Sequence, residues 1–367
     1  MRQSSLLAGT SKGLVILRPQ QDHWVISDIQ FSGLPVSMVF SDPRNGCWWV
    51  CLAHRHWGAK LHRSFDEGKH WEEVPMPVYP EYAQDSKGQR VQLKKIWAMQ
   101  QAGPDRPGGL WLGTEPGGLF YSAHNGDDFE LVEALWNHPS RKDQQQWFGA
   151  GRDHPFIHSI EVDPQDSRHL YIAVSCAGVF ETRDGGASWA PRNKGLIAAY
   201  LPNPNVEVGH DPHRLLICQS APHVLWQQNH CGIFRSIDAG QYWENVTDRN
   251  KLAEYGFSLA IDHQNPLRAW VIPAESDERR VAVKHALCVC YTEDGGKTWR
   301  AQRQGLPQHH AFDIVFRHSF AMDGETLAFG TTTGNLYLST NGGVHWNRLS
   351  SNLARIDYLI FSSSKSA

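Results

Sequence analysis

Short apolar, alternating runs separated by polar turns recur along the whole chain, the pattern of half-buried strands. Three segments show it most clearly: Leu6–Leu17, Leu110–Ser122 and Leu327–Ser339. Each reads strand, Gly-Thr-x-x-Gly, strand. Glycine at a tight reversal between two such runs signals a hairpin, because it accepts positive φ without a Cβ penalty. A second, longer-range pattern is laid over this one. A turn of the form Ser/Thr-x-Asp-x-Gly-x-x-Trp begins at Ser64, Thr182, Ser236 and Thr292, with close variants at Ser122 and Ser339. The last residues of the six copies, Trp71, Phe129, Trp189, Trp243, Trp299 and Trp346, are spaced by 58, 60, 54, 56 and 47 residues. A period of that length, with one turn and one aromatic per unit, predicts a radial array of four-stranded sheets.

Each unit divides into strands A to D, with the repeated turn between C and D. In the fourth unit the expected strands are Ile157–Asp163, His169–Ser175 and Gly178–Thr182, with D beginning near Trp189. Inner A strands are expected to begin near Val36, Lys95, Phe156, Arg214, Gly256 and Ala311, and a seventh is the run Arg355–Phe361. The first strand, Leu6–Gly9, reads as a B strand, so the last strand should complete the first sheet and remove a free edge. The expected fold is all-β: one seven-bladed β-propeller over residues 1–367.

Ser/Thr-x-Asp-x-Gly-x-x-Trp turns are Asp-boxes, and over essentially its whole length the chain resembles bacterial BNR or sialidase-like repeat propellers. The resemblance implies the propeller fold and a family in which many members are labelled glycosyl hydrolase by similarity. It does not imply a particular reaction, since Asp-boxes also occur in sortilin-type receptors, a photosystem assembly factor and xyloglucan-active glycosidases. The boxes themselves are expected to be structural. Their Asp or Asn accepts backbone N–H groups, their glycines make the reversal, and their Trp should pack under the hairpin.

Candidate chemistry is therefore sought on the opposite face, where B–C turns and D-to-A connections meet. Blades one and seven carry bland B–C turns, Ser11-Lys12 and Thr332-Thr333. Blade two has His54, Arg55, His56 and Trp57. Blade three has Glu115-Pro116, blade four Ser175-Cys176, blade five Gln227 to His230, and blade six the insertion Glu275–Arg280. The connections 75–92, 134–154 and 196–212 are long, and long loops on a compact scaffold usually serve function or capping. They end in Lys94 and Lys95, in Arg152, Asp153 and His154 with His158, and in Glu207, His210, Asp211, His213 and Arg214. The expected ligand lining is His54, His56, His154, His158, His210, His213, Gln228 and His230.

Four functions compete. A true sialidase uses three arginines and a Tyr–Glu pair, and has six blades. The segment Leu34–Phe40, where the family carries its early arginine, has none. Another glycosidase needs two carboxyl groups across a sugar-sized gap. Glu115, which replaces a spacer in a Gly-Thr-x-x-Gly turn, is the candidate acid or base, and Asp211 or Glu207 its partner. The competing reading of Glu115 is a structural pair with Arg152. A His-rich metal-dependent site is a third possibility, although the histidines form no compact motif such as H-E-x-x-H and no metal or other cofactor is expected. The fourth is a non-catalytic protein-binding or assembly-factor propeller. Trp57, Trp97, Trp136, Trp147 and Trp226 are candidates to stack on a sugar or cover a pocket, Trp97 and Trp226 doubling as core residues. The preferred reading is a propeller that binds a small polar or carbohydrate-like ligand at its front mouth and is a candidate hydrolase.

Composition narrows the partners. Charged residues are 20% and the formal net charge is -3, which gives no reason to expect a nucleic-acid or membrane surface. No apolar run approaches a membrane span, and the first ten residues match the repeat and lack the core of a signal peptide. Seven cysteines without a C-x-x-C pair argue against a disulfide framework, and a reducing cytoplasmic location is expected.

Overall fold

The computed structural model describes residues 4–362 apart from Asp22, Arg55, Ser86, Lys87, Gln145, Ala150 and Lys251. It is a seven-bladed β-propeller of antiparallel four-stranded sheets. The inner strands, in ring order, are Ile356–Phe361, Val36–Ser41, Lys95–Gln101, Ile157–Asp163, Pro212–Ile217, Gly256–Ile261 and Phe320–Asp323. Each packs against the next, and Ile356–Phe361 touches the inner strands of blades seven and two, closing the ring. In blade one this last strand pairs with Leu6–Thr10, so the two ends of the described chain share one sheet. Among the described residues no helix is long and apolar enough to cross a membrane.

The repeated turn folds for local reasons. In all six copies the Ser or Thr Oγ accepts the N–H of the Gly four residues on, at 2.9–3.0 Å. In five copies the Asp or Asn then accepts the N–H four residues beyond itself, at 2.9–3.0 Å. The glycines have a second constraint, which lies in the neighbouring blade. A Cβ at Gly186 would lie 3.3 Å from the Trp111 ring, one at Gly240 3.4 Å from Tyr171, and one at Gly126 would collide with Trp49. Each of these rings sits on the second strand of the preceding blade and is fully buried. Two of the turn tryptophans also reach backward instead of packing only under their own hairpins, whereas Trp189 Nε1 donates to Gly186 in its own turn. Trp243 Nε1 donates to the Arg192 carbonyl at 2.8 Å, and Trp299 Nε1 to that of Val246 at 2.8 Å. One short motif thus makes a hairpin and clamps two blades together.

Strand positions follow the expected order with one displacement. The inner strand of blade seven begins at Phe320, nine residues after Ala311, and residues 311–319 approach it as irregular chain. The other departure is shared by six blades. Inner strands slip register near their starts, between Val36/Met38, Ile96/Ala98, Ile157/Ser159, Pro212/Arg214 and Gly256/Leu259, and opposite Gly9/Thr10 in blade one. The residues left in these bulges include Ser37, Trp97, His158, His213, Phe257 and Asp357. A β-bulge re-aims a side chain out of the alternating pattern, and this ring of bulges is what builds the front mouth.

Candidate functional site

The front mouth holds a cavity of about 450 Å³, within the usual range for small-ligand pockets. Five bulge residues, Ser37, Trp97, His213, Phe257 and Asp357, line it, as do Phe156 and Asp211 beside the bulges. Phe316, Arg317 and His318, the irregular approach to blade seven, also line it, and B–C turns supply His230, Asp277 and Arg280. His318 lines a second cavity of about 240 Å³ as well, along with Glu161, Arg214 and His263.

Positive charge exceeds negative in this lining: Lys95, Arg152, Arg280, Arg317 and Arg355 against Asp211, Asp277 and Asp357. Most of these cations are spoken for. Arg355 Nε lies 2.9 Å from Asp357, Arg152 Nε donates to Glu115 at 2.8 Å, and Arg280 Nε donates to the Asp277 carbonyl at 3.0 Å. Lys95 Nζ sits 3.5 Å from the centre of the Trp97 ring, and burial pushes its pKa down to about 8. Arg317 differs. Its guanidinium lies over the faces of Phe156 and Phe257, at 5.2 and 5.5 Å, and its buried Nε has no hydrogen-bond partner among the described residues. Arginine stays charged in proteins, so the lining of the mouth carries a cation with unused donor capacity.

One wall is a cluster from blade five. Asp211 Oδ1 accepts the Ser175 hydroxyl at 2.8 Å and the Cys176 N–H at 3.3 Å. Its Oδ2 lies 3.3 Å from His213 Nε2 and 3.7 Å from His230 Nδ1. His213 is stacked on Phe257 and donates through Nδ1 to the Gly256 carbonyl at 2.6 Å. Burial pushes the His213 pKa below its usual value, more than the adjacent carboxylate raises it. Burial opposes ionisation of Asp211, but His213 in its protonated form, Arg317 and the Ser175 hydroxyl hold its pKa below the carboxylate range.

The residues expected from sequence divide into four groups. Asp211, His213 and His230 converge on the cavity. Glu115 stands behind it: its buried carboxylate accepts Arg152 Nε at 2.8 Å and Trp97 Nε1 at 3.1 Å, fixing two residues that do line the cavity. His158, His210 and Gln228 are buried and tied to backbone. His158 Nε2 bonds the Pro212 carbonyl at 2.8 Å, His210 Nε2 that of Val206 at 2.7 Å, and Gln228 Nε2 donates to Glu254 at 3.0 Å. The rest stand apart. Glu207 is exposed in an outer groove with Arg192 and Tyr242. His54 holds its own turn by accepting the N–H groups of His56 and Trp57, His56 is exposed, and His154 does not line the cavity. Arg55 lies outside the described residues. Of the tryptophans, Trp97 faces the cavity, Trp57 is 74% exposed, and Trp136, Trp147 and Trp226 are buried.

Sequence reasoning missed Arg317, Tyr255, Phe257 and Phe316, and reached Asp277 and Arg280 only as members of the blade-six insertion. A signal was present. At the inner-strand starts, chemically capable residues stand two apart: Lys95 and Trp97, Asp211 and His213, Tyr255 and Phe257, Arg355 and Asp357. The segment Leu34–Phe40 belongs to one blade, whereas the arginines of the mouth arrive from four others.

No protein-family model and no curated protein matches the chain. Solved structures do. An ancestral GH74 enzyme superposes with a TM-score of 0.59 at 15% identity, over 94% of this chain and 40% of that one. The GH74 enzyme of Niastella koreensis gives 0.53 at 14%, over 96% and 65%. YCF48 bound to D1 peptide gives 0.56 at 14%, over 93% and 91%. The chain therefore spans less than two thirds of the GH74 enzymes and nearly all of YCF48. These are likenesses of fold alone: the chain shares its seven-bladed propeller architecture with the GH74 enzymes and YCF48.

Proposed function

We propose that the front mouth binds a small anionic, sugar-sized ligand, its carboxylate or phosphate meeting Arg317 and its body lying against Trp97, Tyr255 and Phe257. The observation that carries this reading is the Arg317 guanidinium, which lines a cavity of about 450 Å³ and has a buried donor without a partner among the described residues. A guanidinium is suited to planar two-oxygen anions because its donors form a rigid fork. Trp97, Tyr255 and Phe257, which line the same cavity, give the body of the ligand apolar surface to lie beside. The polar, carbohydrate-like ligand expected from sequence is thereby narrowed to an acidic one. Recognition is favoured over hydrolysis by the Glu115, Asp211 and Glu207 set, because two of the three carboxylates do not line the cavity. The seven cysteines are all unpaired, which supports a reducing compartment.

The test is a matched panel of glucose, glucuronic acid and glucose 6-phosphate, followed by calorimetry and thermal shift at low and high salt. The acidic members should bind and protect, more weakly as salt rises, and glucose should not. Equal binding of glucose would overturn the reading. A GH74-like hydrolytic role would appear instead as release of sugar from a neutral oligosaccharide.

A further inference from the structure

We infer that Asp211, His213 and His230 form a binding site for a divalent transition-metal ion of the zinc type in the wall of the mouth. One ligand atom from each of the three lies within 4.8 Å of the others. The measured separations from Asp211 Oδ2 are 3.3 Å to His213 Nε2 and 3.7 Å to His230 Nδ1. Donors held at about 2.0–2.1 Å from a tetrahedral ion stand roughly 3.3–3.4 Å apart, so small side-chain rotations close the set.

The hydrogen bonding around the trio orients it for this use. A carbonyl only accepts, so His213 Nδ1 must carry the proton it gives to Gly256. In the neutral ring Nε2 is then a bare lone pair, and it faces a carboxylate oxygen at 3.3 Å. Two acceptors in a buried site repel unless a cation lies between them. The other oxygen of Asp211 is already engaged by Ser175 and Cys176, which leaves Oδ2 as the free ligand atom. Asp277 stands 3.7 Å from the far nitrogen of His230, and the Gly256 carbonyl holds the far nitrogen of His213. A backbone carbonyl or carboxylate behind each imidazole is the usual outer support of a metal-bound histidine. Two imidazoles and one carboxylate suit Zn²⁺, Co²⁺ or Fe²⁺ and leave coordination positions toward the cavity.

The competing account is a second proton on His213, giving a plain Asp–His ion pair with no ion between them. Titration of chelator-treated protein with Zn²⁺ in a non-coordinating buffer, and the visible spectrum of the Co²⁺ form, distinguish the two. The expected result is uptake of one ion and a tetrahedral Co²⁺ spectrum. Asp211→Asn and His230→Gln should each weaken uptake by more than about 100-fold, and a His54→Ala/His56→Ala double variant should not change it. His230 is only partly buried and has no backbone bond through its ring, so His230→Gln decides the matter if Asp211→Asn does not fold. No stoichiometric uptake by the wild type, or uptake unchanged in His230→Gln, overturns the site. No acid is present in these titrations, so their failure leaves the anion proposal standing.

Discussion

Arg317→Met should make the protein more stable while weakening its pocket. In the structure the Arg317 Nε is buried without a partner among the described residues, and Asp211 is the leading opposite charge acting on the group. An unpaired buried donor costs about 1–3 kcal/mol, and desolvating the ion costs several kcal/mol more. Against this stand the faces of Phe156 and Phe257, at 5.2 and 5.5 Å, each contributing about 1–2 kcal/mol, and the attraction of Asp211. Methionine keeps most of the stem's packing and removes the charge and the unpaired donor, and Asp211 keeps the Ser175 hydroxyl and the Cys176 N–H as partners, so the balance of these costs gives an expected gain of about 1–2 kcal/mol. At about 2.1 cal/mol/K of unfolding entropy per residue, a chain of 367 residues has roughly 0.8 kcal/mol/K, so Tm should rise by about 1–3 °C. The same substitution removes charge-assisted hydrogen bonds to an acidic ligand worth about 1.5–3 kcal/mol, or roughly 10- to 150-fold in Kd. Scanning calorimetry and titration with glucuronic acid measure the two effects on one pair of proteins. A destabilised variant with unchanged affinity would make Arg317 a structural residue and refute the reasoning.

Three further predictions follow from other parts of the molecule. Glu115→Gln should fold, because Trp97 keeps an acceptor and the lost pair involves an Arg152 side chain that is 43% exposed, an interaction worth no more than about 1 kcal/mol after solvent screening. Its affinity for the acidic ligand should fall a few-fold as Trp97 and Arg152 lose their common anchor, and an unchanged Kd would remove Glu115 from the support of the site. Burial raises the Glu161 pKa to about 7, against the Arg214 charge and the Ile217 N–H. With the folded value above the unfolded one, stability should fall between about pH 4.5 and 7 by up to roughly 3 kcal/mol, and Glu161→Gln should flatten that part of the curve in denaturant titrations. Ser236→Ala should lower stability by about 1–3 kcal/mol by stranding the buried Gly240 N–H, while leaving ligand affinity unchanged; equal loss of both would mean that the turn also shapes the mouth.

The sequence by itself determined the architecture, because the determinants are local and repeated. A hydroxyl and a glycine four residues on, joined in five of the six copies by an Asp or Asn between them, build the same turn six times, and alternation places each strand. From these followed seven blades, the closing role of Ile356–Phe361, and the face opposite the turns as the place to look. The B–C turns then exposed His230 and the Glu275–Arg280 insertion, because equivalent positions elsewhere are bland.

The site was legible only in part. A register slip of one residue reverses which way a side chain points, and no periodicity reveals six slips at the inner-strand starts. Five of these slips put a bulge residue on the cavity, whereas His158, in the equivalent place, is tied to the Pro212 carbonyl instead. Glu115 was singled out as an unusual residue, but only the structure shows it spent on Arg152 and Trp97. Arg317 had no motif at all: it lies on irregular chain where a strand was expected, and it meets Phe156 and Phe257 across the channel from other blades. Local turn chemistry fixes a repeat from short range, whereas a pocket at the centre of a ring is made by residues distant in sequence, and only the closed tertiary structure sets their separations.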